Sequence, residues 1–181
     1  MSSGDSRREE GRLARQALIA TAGCVRRLQR SHRKLASRFP LAPADLRALP
    51  PDAEDDLDAF LKRFEQLVGT IQDEVFKAIA VLGGEDVRPL SRREITELME
   101  RLGALPSATT FRTLVAIRNR IAHVYPDDPE RQTRNLNEAY AAVDDLLSAH
   151  AAVQRYLERQ LESFTALMTP FPRQRHGTFA I

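Results

Sequence analysis

Apolar residues recur at steps of three and four through five windows of this chain, and the gaps between windows fall at prolines 40, 43, 50 and 51, then 89, 106, 126 and 129, then 170 and 172. Each proline-free window therefore predicts a helix with one buried stripe. Residues 53–82 carry Leu57, Phe60, Leu61, Phe64, Leu67, Val68, Ile71, Val75 and Ile79. Asp52 or Glu54 can cap the start of this helix, and Gly83-Gly84 ends it. Residues 91–102 open with Ser91 and Glu94, the two partners of a capping box, and close at Gly103. Ser107 predicts the N-cap of a further helix through Phe111, Leu114, Val115, Ile117 and Ile121, stopped before Pro126.

The longest window, 130–169, sets Leu136, Tyr140, Val143, Leu147, His150, Leu157, Leu161, Phe164 and Met168 near a seven-residue repeat. The spacing predicts one unbroken helix, about 60 Å long at ~1.5 Å per residue. Such a helix outreaches a small core, so its far end requires the N-terminal helix or a second subunit as a partner. The N-terminal window, roughly 6–38, has a narrow stripe of Leu13, Ala17, Ala20, Cys24, Leu28 and Leu35. These small residues suit close packing on one neighbour. Strict alternation, Asn-Gly and Asp-Gly are all missing, so no strands are predicted. The expected fold is an all-α helical bundle with long N- and C-terminal helices. Its parts are a basic helix and proline-rich connector over 1–50, the bundle proper over 51–169, and a flexible tail over 170–181.

Composition changes this picture little. The chain has 181 residues, 43% hydrophobic and 29% charged, enough for one core without cross-links. A single cysteine, Cys24, excludes an intrachain disulfide or a cysteine-rich metal site. No apolar run approaches the ~20 residues that span a bilayer, and MSSGDSRREEGR lacks the apolar core of a signal peptide. The expectation is a cytoplasmic protein with no membrane partner.

Charge is more informative. Net charge is only +2, but residues 1–38 hold ten Lys/Arg against three Asp/Glu, a local balance of +7. Residues 45–74 hold nine acids against three bases, a balance of −6. Lysine occurs only at 34, 62 and 77, so nearly all the positive charge is guanidinium, whose planar fork suits phosphate. The asymmetry implies either an arginine face for an anionic partner or packing of the basic segment on the acidic one.

Phosphate loops, dinucleotide fingerprints, nucleophile elbows and H-E-x-x-H are missing, and His32, His123, His150 and His176 are scattered. No metal or cofactor is expected. DAEDDLD (52–58) reads as a solvated helix start rather than an ion site.

One stretch concentrates polar chemistry, FRTLVAIRNRIAHVYPDDPERQTRN over 111–135. At ~100° per residue, Asn119 and His123 share one helix face, whereas Arg118 lies about 140° from His123. Arg118 and His123 can meet at the helix end or across a symmetric interface. A histidine can take the proton of a ribose 2′-hydroxyl or protonate a leaving 5′-oxygen. An arginine stabilises the crowded phosphorane between those steps. This pair suffices for metal-independent RNA cleavage that leaves a 2′,3′-cyclic phosphate. The structural alternative is a histidine that merely satisfies a helix C-terminus.

RNRIAHVY, Arg118 to Tyr125, resembles the R-x4-H-x-Y signature of HEPN domains, and most closely that of HepT-type toxins paired with minimal nucleotidyltransferase (MNT) antitoxins. AFLKRFEQLVGTIQDEVFKAIAVLGGED (59–86) resembles the family's preceding long helix, with Asp73 in its I-x-D position, and RREITELMERLGALPSATTFRTLVAIRN keeps the order. The likeness runs over about residues 55–165. It implies a four- or five-helix up-and-down bundle that dimerises, or forms a higher even oligomer, with two motifs facing one cleft. It further implies a ribonuclease toxin of a type VII-like toxin–antitoxin pair acting on RNA. Arg118 would stabilise the phosphate, His123 transfer protons and Asn119 orient substrate or His123, with Asp73 and Arg120 in support. Tyr125 would be the tyrosine AMPylated by the MNT antitoxin, adding bulk and negative charge over the cleft. The alternative is an inert HEPN binding or scaffold module of a nucleotidyltransferase. Segment 1–50 has no counterpart in the family pattern.

Overall fold

The computed structural model describes residues 3–122 and 128–168, and these form an all-α helical bundle. In chain order the helices are α1 (Ser3–Leu35), α2 (Pro43–Arg47), α3 (Pro51–Thr70), α4 (Phe76–Gly83), α5 (Arg92–Arg101), α6 (Ala108–Ile121), α7 (Pro129–Ala141) and α8 (Val143–Met168). A π-helical turn, Ile71–Val75, joins α3 to α4 without interrupting the rod. The expected flexible tail over 170–181 lies outside the described residues, as do His123 and Tyr125.

Several boundaries follow from local chemistry. The Ser91 hydroxyl accepts from Glu94 N–H at 3.3 Å while the Glu94 carboxylate accepts from Ser91 N–H at 2.8 Å, completing the predicted box. The Ser107 hydroxyl accepts from Thr110 N–H at 3.1 Å. Gly84 and Gly103 take φ of 75° and 73°, a conformation that costs residues with a Cβ about 1 kcal/mol or more. The start of α3 differs from expectation. Its N-cap is Pro50, with no side-chain cap, so neither Asp52 nor Glu54 serves as one. Pro51 presets helical φ and has no N–H to satisfy, and the two carboxylates instead sit in the first turn, where the helix dipole favours them.

The core is a single cluster. Phe60, Phe64, Leu67 and Ile71 of the α3 rod, Phe76 and Ile79 of α4, Phe111 and Leu114 of α6, and Leu146 and Leu157 of α8 are all fully buried. Each such side chain contributes about 1.5–3 kcal/mol of transfer free energy.

Helix α1 runs antiparallel to the α3 rod. Lys34 Nζ pairs with Asp56 at 2.7 Å near one end, and the Cys24 thiol donates to the Arg63 carbonyl at 3.5 Å further along. Its other flank follows α7 and α8. Tyr140 Oη donates to the His32 carbonyl at 3.2 Å, and Arg15 donates to Thr165 Oγ1 at 3.3 Å. The N-terminal helix is therefore the partner that the far end of α8 requires. The connector is pinned as well. Asn137 of α7 accepts from Leu41 N–H at 2.8 Å and donates to the Leu41 carbonyl at 2.9 Å, and Phe39 stacks on Tyr140 with centroids 4.0 Å apart.

Two predicted stripes shift. On α1 the buried positions among the described side chains are Gly11, Ala14, Ala17, Thr21, Leu28 and Leu35, whereas Leu13 is 50% exposed and Ala20 is exposed. Small residues face the neighbours because they let the backbones approach; at Gly11 an added Cβ would stand 3.4 Å from the Phe164 ring. The single helix predicted over 130–169 is two helices, parted at Ala142, whose ψ of 1° departs from helical geometry. The physical reason is that α7 docks against α6 and the α2 connector, whereas α8 follows α1 and α4, and one bent residue aligns each with its own neighbours.

Among the described residues no helix is long and apolar enough to cross a membrane.

Candidate functional site

Helix α6 carries the motif, and its position is set from both sides. Its first turn is held by Ser107 and by Glu100 of α5, whose carboxylate accepts from Ala108 N–H at 3.0 Å. Phe111, Leu114 and Ile117 bury one stripe against the core. Arg118, immediately after that stripe, is half-buried at the edge where α6 meets α3. The helix ends at Ala122, whose N–H donates to the Arg118 carbonyl at 3.2 Å.

The Arg118 side chain reaches a solvent-open depression of about 310 Å³ lined by Lys62, Glu65, Gln66, Gly69, Thr70, Asp73 and Glu74. Its Nη2 lies 3.8 Å from where a Cβ on Gly69 would stand, so the guanidinium lies across the smallest residue of the α3 rod. Nη1 donates to Asn119 Oδ1 at 3.0 Å. That bond orients the fork, and the Asn119 amide nitrogen has no hydrogen-bond partner among the described residues. Asn119, expected to orient substrate or His123, thus contacts Arg118 directly.

Asp73 and Arg120 have other partners than the site. Asp73 lies in the π turn and lines the depression, but its ion pair, at 3.0 Å, is with Arg92 at the start of α5. It does not tether Arg118. Arg120 pairs with Glu138 and ties the end of α6 to α7. His123 and Tyr125 belong to the segment outside the described residues, so the structure brings together Arg118, Asn119 and Asp73 from the expected set.

Lys62, Gln66 and Thr70, also on this surface, escaped the sequence reading. Lys62, Gln66, Gly69 and Asp73 follow the i, i+4, i+7, i+11 spacing of one α3 face, turned away from the fully buried Phe60, Phe64 and Leu67. That polar stripe was the available signal. Electrostatically, Arg118 and Lys62 face Glu65, Glu74 and the already paired Asp73. The arrangement can present a forked cation and an amide donor to an anionic oxygen.

Other reactive side chains are quiet. Burial pushes the Cys24 thiol above its ordinary value, against the opposing pull of Arg63 and Arg27, so it stays a neutral thiol. Among the described residues no group of three His, Cys, Asp or Glu is placed to hold a metal ion. Compared with known proteins, the chain matches no family model, no curated protein and no solved structure.

Proposed function

We propose that this protein is a metal-independent HEPN-type endoribonuclease, the toxin of a toxin–antitoxin pair whose MNT antitoxin neutralises it by AMPylating Tyr125. The observation that carries the proposal is Arg118 at the end of α6, half-buried, bonded to Asn119 and presented to an open depression, five residues before His123. In the reaction His123 takes the proton of the ribose 2′-hydroxyl, and the 2′-oxygen bonds to phosphorus. Arg118 offsets the extra negative charge of the phosphorane with paired N–H donors. The bond to the 5′-oxygen breaks, that oxygen takes the proton held by His123, and the product ends are a 2′,3′-cyclic phosphate and a 5′-hydroxyl. A homodimer, or a higher even oligomer, would bring two such motifs to one cleft.

A second reading has its own observation. Glu65, Asp73 and Glu74 line the same depression and repel a polyanion, which favours an inert HEPN module that partners a nucleotidyltransferase. One experiment separates the two. Purified protein is incubated with RNA in excess EDTA, wild type beside His123→Ala. Cleavage by the wild type and its loss in the variant supports the nuclease; two equally inert proteins support the module. Co-expression with the partner enzyme should raise the intact mass by AMP units mapping to Tyr125, and an adduct elsewhere removes the regulatory half alone.

A further inference from the structure

The charge asymmetry of the chain poses a question that the fold answers. From Gly11 to Ala44 there is no Asp or Glu, while the same stretch holds Arg12, Arg15, Arg26, Arg27, Arg30, Arg33, Lys34 and Arg38. If this charge served to glue α1 to the acidic α3, its cations would be paired across that contact. One ion pair does this, Lys34 with Asp56. Arg26, Arg27, Arg30 and Arg33 are all exposed, and their side chains form no ion pair or hydrogen bond with a described residue. Their charge faces outward.

We infer that the outer face of α1 is a docking surface for single-stranded RNA, held by its phosphates. Arg26, Arg30 and Arg33 fall within about 60° of one another around the helix at ~100° per residue, on the side away from the core residues Leu28 and Leu35. Arg27 sits on the flank toward α3. It lines a depression with Gly23, Cys24, Gln66 and Thr70, and the last two residues also line the depression of Arg118. The two hollows therefore adjoin on α3, with Arg27 in one and Arg118 in the other, and the carboxylates of Glu65, Asp73 and Glu74 line only the second.

Chemistry selects the partner. Guanidinium forks bind phosphate oxygens in pairs and stack on bases, which a flexible single strand can present along a stripe. A membrane surface is disfavoured, because among the described residues the one exposed large apolar side chain on this face is Ile19, two turns before Arg26 and beside the Arg27 hollow, whereas an interfacial helix buries a continuous apolar face. The inference deepens the proposed function by stating how that RNA is held, and it applies to binding alone.

The test is equilibrium binding of a labelled single-stranded RNA to the His123→Ala full chain, measured over a salt series. It compares that background with Arg26→Gln/Arg30→Gln/Arg33→Gln and with a charge-matched control, Arg88→Gln/Arg93→Gln/Arg101→Gln. Each lost phosphate contact lowers the log–log salt slope by roughly 0.7, so the stripe variant should lose about two units and bind at least tenfold more weakly near 0.1 M salt. The control should stay within about twofold of the background. Equal losses in both triple variants, or no loss in the stripe variant, overturn the inference. So does stronger capture of the protein by phosphatidylserine vesicles, or by polyglutamate, than by RNA. Cleavage by a wild type whose RNA binding is unchanged by the stripe substitutions leaves the nuclease standing and removes only this surface; stripe-dependent binding by an uncleaving wild type does the reverse.

Discussion

Asp73 holds the Arg92 guanidinium at 3.0 Å although it lines the same depression as Arg118. The pairing takes up the Asp73 carboxylate and leaves the Arg118 guanidinium bonded only to its neighbour Asn119 among the described residues. Both members are well exposed, at 41% for Asp73 and 63% for Arg92, so the pair contributes at most about 1 kcal/mol. Asp73→Asn should therefore leave the melting temperature nearly unchanged and RNA cleavage within a few-fold of wild type. Arg118→Lys, which keeps the charge but removes the fork, should cost about 10²-fold in cleavage rate. Single-turnover kinetics on both variants check this. An Asp73→Asn loss as large as that of Arg118→Lys would put Asp73 in the chemistry.

Core and cap substitutions should separate by size. Phe64 of α3 is fully buried in the core, its ring centroid 6.4 Å from that of Phe60. Phe64→Ala should destabilise by about 3–5 kcal/mol. Ser91→Ala removes one side-chain cap and should cost ~1 kcal/mol. Urea titrations of the two variants give both figures.

The connector depends on one amide. Asn137 makes both hydrogen bonds to the Leu41 backbone, so Asn137→Ala strands a donor and an acceptor at a half-buried contact. The expected cost is about 1–3 kcal/mol. Hydrogen exchange should accelerate at residues 39–48 well before it does in α3, and unchanged exchange there would show that the Phe39–Tyr140 stack holds the connector without the amide.

Acid should loosen the bundle through His150. This side chain is 5% exposed, its Nε2 has no hydrogen-bond partner among the described residues, and burial holds its pKa below the ordinary 6.5, with Glu158 opposing. The unfolded chain then binds the proton more readily than the folded one. The resulting stability is complete above about pH 6.5 and is lost as the pH falls below it, at no more than ~1.4 kcal/mol per pH unit. Thermal melts at pH 7.5 and 5 measure the drop, and His150→Leu should reduce it. A variant with an undiminished drop would move the acid sensitivity elsewhere.

Element identity was legible where local chemistry speaks alone. Ser91 with Glu94, Ser107, Gly84 and Gly103 set helix ends through hydrogen bonds and φ values internal to a few residues. Registers that depend on neighbours were not. Choosing Leu13 over Ala14 for the α1 stripe follows side-chain size, whereas a close helix contact selects the small residue. The bend at Ala142 likewise has no local signal, since Leu136, Val143, His150 and Leu157 keep their repeat through it. Arg118 was legible as a candidate from its motif, but its contacts with Gly69 and Asn119 were not.

What the amino-acid order determined by itself is an all-helical chain, its caps and stops, and an uneven distribution of charge, because each rests on propensity, on hydrogen bonds within a turn or on counting. Tertiary structure alone decided that α1 covers the far end of α8, that its arginines face outward and that Asp73 meets Arg92. Those outcomes depend on which faces exclude water together, and that is a property of the packed helices jointly.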